Sequence, residues 1–149
     1  MKKAISPVIA TVIIVAVTIA IAIAVALWMT GLVGSFTGTE NLQIVSAYAT
    51  KGSGNIWTIH LEVKNVGTVD VTIDNIFING VPVSALTTNV ESISISTGTI
   101  ELNNINIPIK TGETVKIYIY VQGYTPGQML EIKLHSAAGK EYPKQVTLP

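Results

Sequence analysis

Asp70 and Asp74 stand four residues apart in VDVTID, a spacing that on a strand sends both carboxylates to one face with Thr72 between them. Two such groups can share a cation such as calcium, or run acid–base chemistry where a pocket pushes their pKa values apart. Two monodentate ligands make a thin site, and the same pattern describes a solvated strand face. His60 and His135 fall on separate predicted strands without the H-E-x-x-H spacing, so they read as surface histidines. Cysteine is absent, which removes disulfides, thiolate nucleophiles and thiolate metal sites. The GSG at Gly52–Gly54 lacks the Lys and the helix that a phosphate cradle needs. No catalytic, cofactor-binding or metal-ligating residue is assigned, no cofactor is expected, and the chain reads as a non-enzyme.

Tyr118 and Tyr120 share a strand face, with Val115, Ile117, Ile119 and Val121 in the alternate register. Exposed, the two rings are candidate adhesive residues, since rigid amphipathic rings bind at low entropic cost; packed at a core edge, they are structural. Tyr48 and Tyr142 can extend the pair. The elements that position these residues are read from period two. Trp57, Ile59, Leu61 and Val63 alternate with polar residues, as do Val69, Val71 and Ile73. Asn79-Gly80 signals a tight hairpin between IDNIFI and VPVSAL. Further strands are expected at 92–96, 100–109, 115–121, 129–135 and 145–148, separated by glycines and prolines that include Pro143. Eight or nine short strands in roughly 110 residues predict an antiparallel all-β sandwich, immunoglobulin-like, with a small barrel as the other option.

Ahead of this domain lies VIATVIIVAVTIAIAIAVALWMTGLVG, from Val8 to Gly34, without one charged side chain. About 27 residues at about 1.5 Å each make a rod of roughly 40 Å, enough to cross a hydrocarbon core of about 30 Å. It is too long for the apolar stretch of a removable secretory signal. Lys2 and Lys3 hold its start on the cytoplasmic side, so the residues after it lie outside. Small Ala side chains alternate with Val and Ile, which suits close packing of helix against helix. The packing residues expected are Val8, Ile9, Val12, Ile13, Ala16, Ala20 and Ala24. Thr11, Thr18 and Thr30 are expected to return their hydroxyls to the preceding turn. Ser6 is a candidate cap with Pro7 in the first turn, while Gly31 and Gly34 are the expected place for fraying, leading into a flexible neck.

Charge adds two constraints. Nine basic and nine acidic residues cancel, with 12% of residues charged. The basic residues are scattered, so no nucleic-acid partner is expected, and weak like-charge repulsion favours assembly. No Asn-x-Ser/Thr sequence occurs, which leaves O-linkage as the route to any glycan.

The head MKKAISPVIATVIIVAVTIAIAIAVAL resembles the amino terminus of archaeal type IV pilin-like proteins, in which a short basic leader precedes ISPVIA and a long apolar helix. The resemblance covers about 34 residues; beyond them the chain matches only as a strand-rich head. It implies cleavage by a prepilin peptidase between Lys3 and Ala4. It further implies an assembly ATPase and a platform membrane protein as partners, and a helical homopolymer of this chain as product. The Glu that registers bacterial pilins near the mature start is absent, the first acidic residue being Glu40. On this resemblance residues 1–3 are leader, 4–34 the filament-core helix, 35–41 a neck and 42–149 the extracellular head. The chain is expected in the cell membrane before assembly and in a surface filament afterwards, as the structural subunit of an adhesion pilus. The alternatives are an archaellum filament subunit, a membrane-anchored monomeric surface β-domain and a minor pilin.

Overall fold

The computed structural model describes residues 6–149, with the backbone alone for Ser35, and divides after Gly38 into a helical and a β unit. The expected processing site, Lys3 and Ala4, lies outside the described residues.

The helical unit is one helix, α1 (Pro7–Phe36, 30 residues). Ser6 occupies the N-cap position, but its side chain makes no capping bond. Its carbonyl accepts the Ala10 N–H at 3.1 Å, and Pro7 removes a donor that would otherwise lack a partner. The threonines behave as the sequence predicts: Thr11 Oγ1 donates to the Pro7 carbonyl at 3.0 Å, Thr18 to Ile14 at 2.6 Å and Thr30 to Ala26 at 2.8 Å. Each hydroxyl is satisfied within its own helix, which lets the apolar stretch carry it without an orphan group. The helix does not fray at Gly31 or Gly34. It continues to Phe36, where Thr37 N–H closes it on the Val33 carbonyl at 2.9 Å. Two isolated glycines cost a helix only about 1 kcal/mol each against alanine, too little to end a 30-residue run.

The β unit holds ten strands: β1 (Leu42–Lys51), β2 (Ile56–Asn65), β3 (Val71–Ile78), β4 (Val81–Pro82), β5 (Val90–Ile95), β6 (Gly98–Ile100), β7 (Ile107–Ile109), β8 (Thr114–Gln122), β9 (Met129–Ser136) and β10 (Glu141–Thr147). One sheet runs β1-β2-β8-β5-β6. The other runs β10-β9-β3-β4, with β7 also on β3. All pairings are antiparallel. Both sheets contribute to one apolar core. Trp57, Ile59, Leu61, Ile117 and Ile119 enter it from the first, and Ile73, Ile76, Ile107, Leu130 and Ile132 from the second. Burying each such side chain contributes about 1.5–3 kcal/mol.

Three expectations need correction. The stretch 100–109 is two short strands in different sheets, β6 on β5 and β7 on β3. The turn between them, where Asn104 N–H bonds the Glu101 carbonyl at 3.1 Å, carries the chain from one sheet to the other. Pro143 does not separate strands. It sits within β10, paired with Lys133 at the sheet edge, where a missing N–H leaves no ladder bond unmade. Val69 is exposed and precedes β3. Asn79-Gly80 forms the expected hairpin: both residues have positive φ, and Asn79 Oδ1 accepts the Glu131 N–H at 2.9 Å.

Candidate functional site on the outer face of the first sheet

The outer face of the first sheet is built in registered rows. Tyr48, His60, Tyr118 and Ser94 form one row across β1, β2, β8 and β5. Thr50, Thr58, Tyr120 and Ser92 form the next, and Ser46, Glu62 and Lys116 lie on the other side. β2 and β8 reach this arrangement by plain alternation, with one face in the core and the other outward. β1 needs an irregularity. Its register shifts between Ile44 and Ser46, leaving Val45 as an extra, exposed residue. The bulge reverses the phase of the strand, so Ile44, Ala47 and Ala49 pack on the core while Ser46, Tyr48 and Thr50 turn outward.

The rings then meet. Tyr48 stacks on His60 with centroids 4.6 Å apart and planes 5° apart, and the Tyr118 ring stands edge-on to His60 at 5.3 Å. Thr50 Oγ1 and His60 Nε2 are 2.9 Å apart, which fixes the imidazole in its plane. Desolvation beneath Tyr48 holds the His60 pKa below its usual 6.5. A cavity of about 90 Å³ opens beside the stack, lined by Ser46, Tyr48, His60, Glu62, Lys116 and Tyr118. Across it the Ser46 hydroxyl lies 3.4 Å from Glu62 Oε2.

A second polar assembly stitches the start of the β unit to its loops. Val66 and Gly67 N–H groups donate to the Asn41 carbonyl, Thr68 N–H to the Thr39 carbonyl, and Thr39 N–H to Thr68 Oγ1. The buried Asn65 organises this end, donating Nδ2 to the Val69 and Ile109 carbonyls at 2.8 and 3.1 Å and accepting Gly67 N–H at 3.0 Å. Only glycine fits at 67, because an added Cβ would stand 2.3 Å from the Thr39 carbonyl oxygen. Glu40 is buried, its carbonyl accepting Lys140 Nζ at 2.6 Å and its carboxylate lying 3.5 Å from the Tyr142 hydroxyl. Burial foremost, then the Glu40 charge, raises the Tyr142 pKa against a lowering contribution from the Leu42 backbone.

The two carboxylates singled out in the sequence do not act together. Asp70 Oδ1 accepts Thr111 N–H at 2.9 Å, whereas Asp74 pairs with His135 Nδ1 at 2.6 Å. A register shift between Ile73 and Asn75 puts Asp74 out of step with the strand, which breaks the shared face that spacing implied. Among the described residues no three His, Asp or Glu side chains gather as a metal site would require. Tyr118 and Tyr120 do lie on one outer face, both half-buried. No local pattern joins them to His60, which stands 58 positions before Tyr118 and meets it only through strand pairing. Tyr48 was reachable as a possible extension, but the bulge that brings it there was not. On the helix, Val8, Ile9, Val12, Ile13, Ala16, Ala20 and Ala24 are all exposed.

No protein-family model and no curated protein sequence matches the chain. Similarity is found among solved structures. The archaellum periplasmic stator protein FlaG from Sulfolobus acidocaldarius superposes with a TM-score of 0.48 at 21% identity, over 72% of this chain and 99% of that one. The apo PCuAC domain from PmoF1 gives 0.47 at 11% identity, over 74% and 98%. A lipoprotein from Bacteroides thetaiotaomicron gives 0.43 at 16%, over 74% and 78%.

Proposed function

We propose that the chain is a non-catalytic structural subunit of an archaeal surface-filament system of the type IV pilin and archaellum kind. It crosses the membrane by its helix when made. After cleavage between Lys3 and Ala4 the helix leaves the bilayer to pack with other copies, and the β domain is displayed outside the cell. The observation that carries this reading is the helix itself: 28 residues, Pro7–Gly34, with a hydropathy of 3.1 and none of its most apolar window buried. A helix apolar on every side has no stable place in water, so it rests in lipid or against apolar partners. Val8, Ile9, Val12 and Ile13, with Ala16, Ala20 and Ala24 permitting close approach, are the contact residues of that packing. A prepilin peptidase, an assembly ATPase and a platform membrane protein are the machinery it requires. The strand order supports reading the head as an immunoglobulin-like sandwich: its seven longest strands fall as β1-β2-β8-β5 and β10-β9-β3, the first-second-fifth-fourth and seventh-sixth-third order of that fold.

A second reading within the same system is a β domain that stays anchored beneath or beside a filament, as an archaellum component or minor subunit. It is favoured by the shortness of the joint. Only Thr37 and Gly38 lie between the last helical residue, Phe36, and Thr39, which is hydrogen-bonded into the β unit. One measurement separates the readings. Mass spectrometry of sheared surface material should find a mature terminus at Ala4 in the filament fraction. An intact Met1 or Lys2 terminus retained in the membrane fraction overturns assembly in favour of the anchored domain.

A further inference from the structure

Glu62 and Lys116 are register partners on adjacent strands, yet among the described residues they form no ion pair. Glu62 holds one long contact, from Ser46 at 3.4 Å, and Lys116 donates to no side chain or carbonyl. The hydroxyls of Tyr48, Tyr118 and Tyr120 are likewise without a hydrogen-bond partner among the described residues. All of these but Tyr120 line the cavity of about 90 Å³ beside the Tyr48–His60–Tyr118 stack. Tyr48 closes that stack on one side only and is 52% exposed, so its second ring face is open.

The chemistry of a ligand follows from these groups. A carboxylate only accepts hydrogen bonds and an ammonium only donates them, so the pair is completed by a ligand that presents donors and acceptors on neighbouring atoms. An open tyrosine face beside them requires an apolar C–H surface. A vicinal diol on a hexose ring meets both demands. The pair carries no net charge, which gives an anionic ligand no advantage, and the cavity is well below the roughly 300 Å³ of a drug-sized pocket. The adjoining row Thr50–Thr58–Tyr120–Ser92 continues the hydroxyl-bearing surface, so a polymer can run across the strands. We propose that this face binds a neutral hexopyranose unit of an extracellular polysaccharide, with Tyr48 against the ring and Glu62 and Lys116 on adjacent hydroxyls. Repetition of weak sites along an assembly would supply avidity.

The test uses the full chain in a detergent without a sugar headgroup, a dimethylamine oxide, titrated with dextran, mannan and galactan, and with polygalacturonate as the anionic comparator. Saturation-transfer NMR should show transfer from aromatic protons to the ring C–H of at least one neutral polymer. Tyr48→Ala and, separately, the exposed Lys116→Met should each weaken binding by about tenfold, with far-UV circular dichroism unchanged and Lys144→Met without effect. Should Tyr48→Ala fail to fold, Lys116→Met decides alone. Absence of transfer to all three neutral polymers, tighter binding of polygalacturonate, or binding that survives the substitutions overturns the assignment. The measurement needs no filament, so its failure and the failure of the assembly reading are separate results.

Discussion

Asn65 and His60 illustrate opposite uses of a polar side chain in the β unit. Asn65 is fully buried and spends its amide on two carbonyls and one N–H, tying the β2–β3 turn to the segment before β8. Asn65→Ala leaves those backbone groups without partners and should cost about 2–3 kcal/mol, read from urea unfolding of the full chain. His60 sits half-buried under Tyr48, and burial disfavours its charged form. The unfolded chain therefore binds a proton that the folded chain resists, between the unfolded value of about 6.5 and the lower folded one. The stability linked to His60 is complete above that window and is lost as pH falls through it. Urea midpoints at about pH 7.5 and about pH 5 should differ, and the difference should shrink in His60→Gln. Equal differences in the two proteins would contradict the desolvated histidine. Period two marked His60 as outward-facing, whereas the tyrosine above it comes from pairing with another strand.

Among the elements, β1 changes the phase of its alternation at a single residue. Val45 is the extra residue of the bulge, and its removal restores strict alternation. Ile44 would still pair with Val63 and Ser46 with Glu62, so Ala47 and Ala49 stay on the core and Ser46, Tyr48 and Thr50 stay outward. Deletion of Val45 should therefore keep the Tyr48–His60 stack, visible as retained ring-current shifts on the His60 protons; their loss would contradict Val45 as the extra residue. At the root of the β unit, Gly67→Ala forces the Thr39 carbonyl away from a contact of 2.3 Å. Faster hydrogen exchange at Val66, Gly67 and Thr68, whose amides bond Asn41 and Thr39, is the expected result. Unchanged protection would mean that the neck segment relaxes without releasing the loop. The strands themselves were mostly legible in the sequence, since alternation is a local property. The division of 100–109 between two sheets and the inclusion of Pro143 in β10 were not, because each depends on which strand lies alongside.

For the whole molecule, the division after Gly38 makes the fates of the two units separable. Ala20→Glu places a charge in the middle of the apolar helix, at about 3 kcal/mol on an insertion scale. It should remove the chain from both membrane and filament fractions while the thermal unfolding of the β unit keeps its midpoint; a lowered midpoint would contradict separate units. The sequence by itself determined the long apolar helix, the threonines that satisfy themselves within it, the alternating strands and the Asn79-Gly80 turn. These are set by neighbours a few residues away, through 3.6-residue and two-residue periods and local backbone preference. Only the tertiary structure decided which strands share a sheet, that Asp70 and Asp74 go to different partners, and that Tyr48, His60 and Tyr118 form one stack beside Glu62 and Lys116. Those outcomes rest on contacts between residues far apart in the chain and on bulges at Val45 and Asp74, where an unpaired residue changes the face that every later side chain on its strand presents.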